Sequence, residues 1–178
     1  MKWSKLKAKI EALFVPNLGL NIYCNAYPIR GQWGTNNSVP RFYFKLGKEI
    51  IWDFPKDYKS KLKNIDFYQW TYYITFSENI ANYINTPVNK ILSLTPIIKD
   101  ALDDVCFTMN NNDLSIAPLN KSNVADTVAM AQYDLIKILF AADRRLGLNK
   151  LNEFFLQTDM NNAIKIILNK RKTLNYEI

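Results

Sequence analysis

The stretch Arg41-Phe42-Tyr43-Phe44-Lys45-Leu46-Gly47-Lys48-Glu49-Ile50-Ile51-Trp52-Asp53-Phe54 reads as two β-strands joined by a tight turn. Apolar and polar side chains alternate on either side of Gly47-Lys48, the pattern of strands with one buried face. Glycine at a two-residue turn adopts backbone angles that other residues resist. Upstream, Leu20–Tyr27 is another short apolar run, with Ile22, Cys24 and Ala26 on one face. The three runs predict an antiparallel β-meander of at least three strands. Between the first two, Pro28 to Pro40 carries Gly31, Gly34 and Asn36-Asn37 and reads as a long loop. Loops of this length often carry function. Trp33 at its centre is either an exposed anchor for a partner or a side chain folded back on the sheet.

Outward from the meander the periodicity changes. Trp3, Leu6, Ile10, Leu13 and Phe14 recur at helical spacing, with Lys2, Lys5, Lys9 and Glu11 elsewhere, and Pro16 and Gly19 follow. An amphipathic helix with a basic face can lie on a membrane, but its Trp/Leu/Ile stripe is expected to dock on the core. Residues 66–76 are rich in aromatics and threonine, and Tyr68, Trp70, Tyr72, Ile74 and Phe76 make one apolar face at period two, so a strand is expected there.

From Ser77 the chain turns helical. Ser77 is placed to cap Glu78–Ile84. Thr86-Pro87 opens a short helix to Leu94, and Thr95-Pro96 another to about Asp104. Val105–Met109 and Leu114–Ala117 form a small hairpin or a loop. Ser122-Asn123 precedes the longest helix, Val124–Leu146, with Gly147 as its stop. Leu148–Leu156 and Asn161–Leu174 complete the chain. The expectation is one α+β domain over 1–178: an N-terminal helix, an antiparallel meander of at least three strands, and a helical C-terminal half packed on the sheet.

Composition removes most catalytic chemistry. There is no histidine, and Cys24 and Cys106 stand 82 positions apart. Histidine is the commonest acid/base and metal ligand at neutral pH, and zinc sites need clustered Cys and His. Carboxylates, lysines, tyrosines and lone hydroxyls remain, in no catalytic motif, so neither an enzyme nor a cofactor or metal site is expected. No run approaches the length of a membrane span, and charges interrupt the N-terminal apolar stretch, so the expected compartment is the cytoplasm. Two reduced cysteines are ordinary there.

The net charge of +7 is unevenly spread. Residues 1–63 hold twelve lysines and arginines against four acids, whereas 100–134 hold six aspartates against Lys121 alone. Such segregation can steer partners of opposite charge, or the patches can interleave and serve solubility. Within the acidic stretch, Asp100, Asp103 and Asp104 share one helical face; a solvated face is the default, a basic partner the functional alternative. Asp143-Arg144-Arg145-Leu146-Gly147 is the densest candidate elsewhere. Its arginines can fork onto carboxylates or phosphates of a partner, or satisfy the negative end of the preceding helix and nearby acids. Lysines at both ends, with aromatics such as Tyr43, Trp52, Tyr68, Trp70 and Tyr73, keep nucleic-acid binding open.

Three segments resemble a family of small bacterial proteins: Met1-Lys2-Trp3-Ser4-Lys5-Leu6-Lys7, Gly47-Lys48-Glu49-Ile50-Ile51-Trp52-Asp53-Phe54, and Asp143-Arg144-Arg145-Leu146-Gly147 running on to Lys150-Leu151. They cover the two ends and one hairpin. Members of that family look like the open reading frames that accompany polymorphic toxin systems, including contact-dependent growth inhibition. The resemblance implies no catalytic residues. It implies an immunity protein that neutralises a cognate toxin domain by binding; read from the residues themselves, Trp33, Asp100, Asp103, Asp104, Arg144 and Arg145 are the candidate contacts. The alternative is a nucleic-acid-binding protein using the basic ends and exposed aromatics. An acidic inhibitor would suit a nuclease better than a chain of +7, so the acidic stretch Asp100–Asp134 makes the contact or the toxin is not a typical nuclease.

Overall fold

The computed structural model describes residues 2–24, 41–54, 56–58, 69–97 and 121–175, with backbone only for 69–74, 121–125 and 175. The predicted meander is present. β1 (Leu20–Cys24), β2 (Phe42–Leu46) and β3 (Glu49–Phe54) form an antiparallel sheet in the order β1-β2-β3. Tyr23 faces Tyr43 across the first pair, and Tyr43 faces Asp53 across the second. At the hairpin, Gly47 takes φ 60° and Lys48 does not share the positive φ, the arrangement of a type II′ turn. A bulge at Phe44/Lys45 sets Ile51 as the extra residue between the pairs Lys45↔Ile50 and Phe44↔Trp52.

α1 (Trp3–Glu11) buries Trp3, Leu6 and Ile10, so its apolar stripe packs on the core. It ends at Glu11, five residues before Pro16. Leu13 and Phe14 lie beyond the helix, and Pro16-Asn17 forms a turn closed by Leu18 N donating to Val15 O at 3.2 Å. Asn17 takes φ 62°, as the third position of a type II turn requires. α1 also closes the sheet edge: the Ile22 N–H of β1 donates to Glu11 Oε1 at 2.9 Å.

The strand expected at 66–76 is overturned for residues 69–76, which open α2 (Gln69–Asn85); 66–68 lie outside the described residues. From Thr75 the burial runs in pairs, with Thr75, Phe76, Asn79, Ile80 and Tyr83 inside. That is a 3.6-residue stripe and not a period of two. Phe76 sets the register: its ring lies 4.9 Å from Phe42 and from Phe54, the pair that ends the β2–β3 ladder opposite the hairpin. A run so rich in aromatic and apolar residues serves a helix as well as a strand, and this tertiary contact decides between them. Ser77 is consequently a helix-interior residue and not a cap. A 3-10 helix, Val88–Ser93, follows Thr86-Pro87. Leu94–Ile97 is irregular, so no helix starts at Pro96 within the described residues; the rest of that proposed helix, Cys106 and the 105–117 hairpin lie outside them.

α3 (Lys121–Ala142), α4 (Leu148–Leu156) and α5 (Asn162–Asn175) form the helical C-terminal half. α3 stops at Ala142, four residues short of the expected Leu146, and Gly147 is the residue capping the start of α4. The reason is tertiary. Val15 N donates to Ala142 O at 2.9 Å and Arg144 N to Leu13 O at 2.8 Å, so Phe14 and Asp143 form a short antiparallel bridge that draws the chain out of the helix. α3 packs on α2 and α5, and α5 reaches β3. A single hydrophobic cluster runs from Trp3 and Ile22 through Phe44, Trp52 and Phe76 to Leu135, Leu139, Ile164 and Ile167.

Candidate partner-binding site

Arg144 and Arg145, adjacent in sequence, have different fates. Arg144 is exposed and joins the bridge through its backbone alone. Arg145 turns back onto Asp143, with Nε at 3.0 Å from both carboxylate oxygens and Nη2 at 2.6 Å from Oδ2. Asp143 is 1% exposed and also accepts from the Arg145 N–H and, at 2.8 Å, from the Tyr83 hydroxyl. The hydrogen bond to Asp143 pushes the Arg145 guanidinium up from its ordinary value. Burial first, and the Asp143 charge second, push the Tyr83 phenol above its usual range. Arg145 therefore serves the end of α3, and Arg144 is the arginine of the pair left facing solvent. Trp33, Asp100, Asp103 and Asp104 lie outside the described residues.

The outer face of the sheet carries a row of rings and cations. Tyr23 and Tyr43 stack at 5.0 Å and 9°. Lys7 Nζ lies 3.9 Å from the centre of the Tyr23 ring, and the Arg41 guanidinium 4.8 Å from that of Tyr43. A ring stacked on one side leaves only its other side to a cation, so the order is Lys7, Tyr23, Tyr43, Arg41. Both cations are also paired: Lys7 with Glu11 at 3.5 Å, and Arg41 in a two-pronged contact with the buried Asp53. The row is a self-satisfied cation–π ladder, with Lys45 flanking it. Trp52, the other described stacking candidate, is 3% exposed and belongs to the core.

Below the bulge of β3 a pocket of about 270 Å³ opens between β3, the 3-10 turn Lys56–Tyr58, α3 and the start of α5. Ile51, Trp52, Met130 and Ala163 supply apolar wall, and Asp57, Tyr58, Asp134, Asn161 and Asn162 the polar groups. The bulge places both Ile51 and Trp52 on this space. Trp52 Nε1 donates to the Tyr58 hydroxyl at 3.0 Å, and that hydroxyl donates to Asp134 Oδ2 at 2.5 Å. The direction is fixed because an indole N–H can only donate and a carboxylate can only accept. Burial, then the Asp134 charge, pushes the Tyr58 phenol above its usual range, so it stays a donor. Partial burial likewise pushes the Asp57 carboxyl up; its Oδ2 accepts from Asp53 N at 2.8 Å. Asn161 caps α5 by accepting from Ile164 N at 3.0 Å, while its Nδ2 is buried without a hydrogen-bond partner.

Sequence reasoning counted Asp134 within the acidic stretch but missed Asp57, Tyr58 and Asn161. The signal for Asn161 was its capping position before α5. Nothing local marks Tyr58, whose partner is 76 residues away. Among the described residues no group of three or more His, Cys, Asp or Glu could hold a metal ion, and no helix is long and apolar enough to cross a membrane. The chain matches no protein-family model, no curated protein and no solved structure.

Proposed function

We propose that this chain is an immunity-type protein that binds a cognate toxin domain and neutralises it without chemistry. The observation that carries the reading is the pocket on β3. Its Tyr58 is held as a permanent donor and its carboxylates accept hydrogen bonds from fixed partners. A proton-transfer site needs a group poised near the working pH, and a rigid set of acceptors around apolar wall suits recognition instead. The resemblance of the N-terminal, hairpin and Asp143–Leu151 segments to toxin-associated bacterial proteins supports the same reading. Asp134 belongs to the acidic stretch, which favours contact through acidic residues despite the overall charge of +7.

Affinity capture of the tagged chain from its native host tests this, followed by co-expression with the captured protein. A stoichiometric partner whose toxicity is suppressed by the chain is the expected result. Recovery of nucleic acid with no protein partner would sink it.

The cation–π ladder favours a second reading, binding of single-stranded nucleic acid, since basic groups and tyrosines share one face. Its weakness is geometric. Each described ring of the ladder has one face on the other tyrosine and one under a cation, so a base must displace Lys7 or Arg41 to stack. Retention of RNA at low salt that collapses as salt is added would support it.

A further inference from the structure

The pocket under β3 contains a group that the fold leaves unsatisfied. Asn161 Nδ2 is buried with no partner while its Oδ1 is committed to the α5 cap. An orphaned buried donor is costly, so an incoming acceptor is rewarded there. Asp57 and Asp134 line the same space. Lys137 approaches Asp134 only to 3.7 Å, its ammonium being held on the Asp159 carbonyl at 2.9 Å. At about 270 Å³ the cavity lies at the lower limit of sites for whole small-molecule ligands, and it is roomy enough for one long side chain.

We propose that the pocket receives a lysine or arginine side chain from the protein partner. The inference rests on the protein-binding reading above. The alkyl stem lies along Ile51 and Met130, as long cationic side chains do on apolar wall. The charged head meets Asp134 and Asp57, and the main-chain carbonyl of the same residue accepts from Asn161 Nδ2. An anion would meet two carboxylates, and a purely apolar side chain would leave all three polar groups unanswered.

The test is a titration of the ¹⁵N-labelled full chain with N-acetyl-arginine methylamide and its lysine counterpart, with the norleucine analogue and agmatine as controls. The Asn161 side-chain amide and the Trp52 indole signals are expected to shift with the cationic amides and not with norleucine. Affinity should fall at least about tenfold in Asp134→Asn, a loss of roughly 1.4 kcal/mol. Asp57→Asn, which keeps an acceptor for Asp53 N, should weaken binding even if Asp134→Asn disturbs Tyr58. No shift at Asn161, or equal shifts with norleucine, overturns the proposal. Agmatine binding as tightly as the blocked arginine overturns the peptide source in favour of a free amine. The titration needs no partner, so a host capture that finds no toxin leaves it standing. A captured toxin whose affinity ignores Asp134→Asn and Asp57→Asn overturns the pocket alone.

Discussion

Asp143 shows how one residue decides what its neighbours can do. Its carboxylate receives Tyr83 and three N–H groups of Arg145 with almost no exposure to water. Breaking a buried ion pair by removing one partner leaves the other uncompensated, at about 3–5 kcal/mol. Asp143→Ala is expected to lose that much in urea unfolding, and Tyr83→Phe about 1–3 kcal/mol. Tyr58 and Tyr83 give a pH prediction of definite sign. Their folded phenols hold protons more tightly than unfolded ones, so this contribution is fully present below about pH 10 and is lost as pH rises beyond it. In Tyr58→Phe the alkaline loss of stability should be smaller by about 1.4 kcal/mol in total between about pH 9 and 11, read from urea midpoints.

At the level of elements, the exposed edge of the sheet is managed by a helix. Among the described residues β1 pairs only with β2, and its outward Ile22 N–H is taken by Glu11 of α1. Glu11→Ala removes that acceptor and should cost about 1–3 kcal/mol, with faster amide hydrogen exchange at Ile22. Glu11→Gln keeps an acceptor and should restore the protection. α2 is fastened in a similar manner. Asn79 pairs with the backbone of Ile97, its Oδ1 accepting from Ile97 N at 2.6 Å and its Nδ2 donating to Ile97 O at 2.9 Å, so one amide side chain fixes the segment after the 3-10 helix to α2.

On the scale of the whole molecule, Arg171 ties the C-terminal helix to the end of α3 and the turn after it. It is 6% exposed and donates to the carbonyls of Ala141, Asp143 and Leu146 at 2.8, 3.2 and 2.7 Å. Burial lowers its pKa from the ordinary guanidinium value, and Asp143 opposes that shift. These carbonyls belong to the end of α3 and the turn after it, where Asp143 bridges to Phe14, so one side chain holds α5 against that segment. Arg171→Met should cost at least about 3 kcal/mol, since it orphans several buried acceptors together. Arg171→Lys should recover only part, because a point charge cannot span three carbonyls. Lys165→Glu and Lys172→Glu, on the exposed side of the same helix, should leave stability nearly unchanged.

The sequence by itself determined the meander, the turn at Gly47, the docking of α1 and the bounds of α4, because alternation, turn chemistry and helical stripes are local signals. Tertiary structure decided the rest. Residues 69–76 became helix because Phe76 meets Phe42 and Phe54 beneath the sheet. α3 ended early because Phe14 bridges Asp143. Arg145 and Arg144 look alike in the chain, yet one is spent on Asp143 and the other faces water. Lys7 and Arg41, two of the twelve cations of residues 1–63, are answered by Glu11 and Asp53. The pocket was not legible at all, since Asp57 with Tyr58, Asp134 and Asn161 come from three separate segments. Local patterns say which face of an element is buried; which charges cancel and which polar groups converge depends on contacts between residues far apart in the chain.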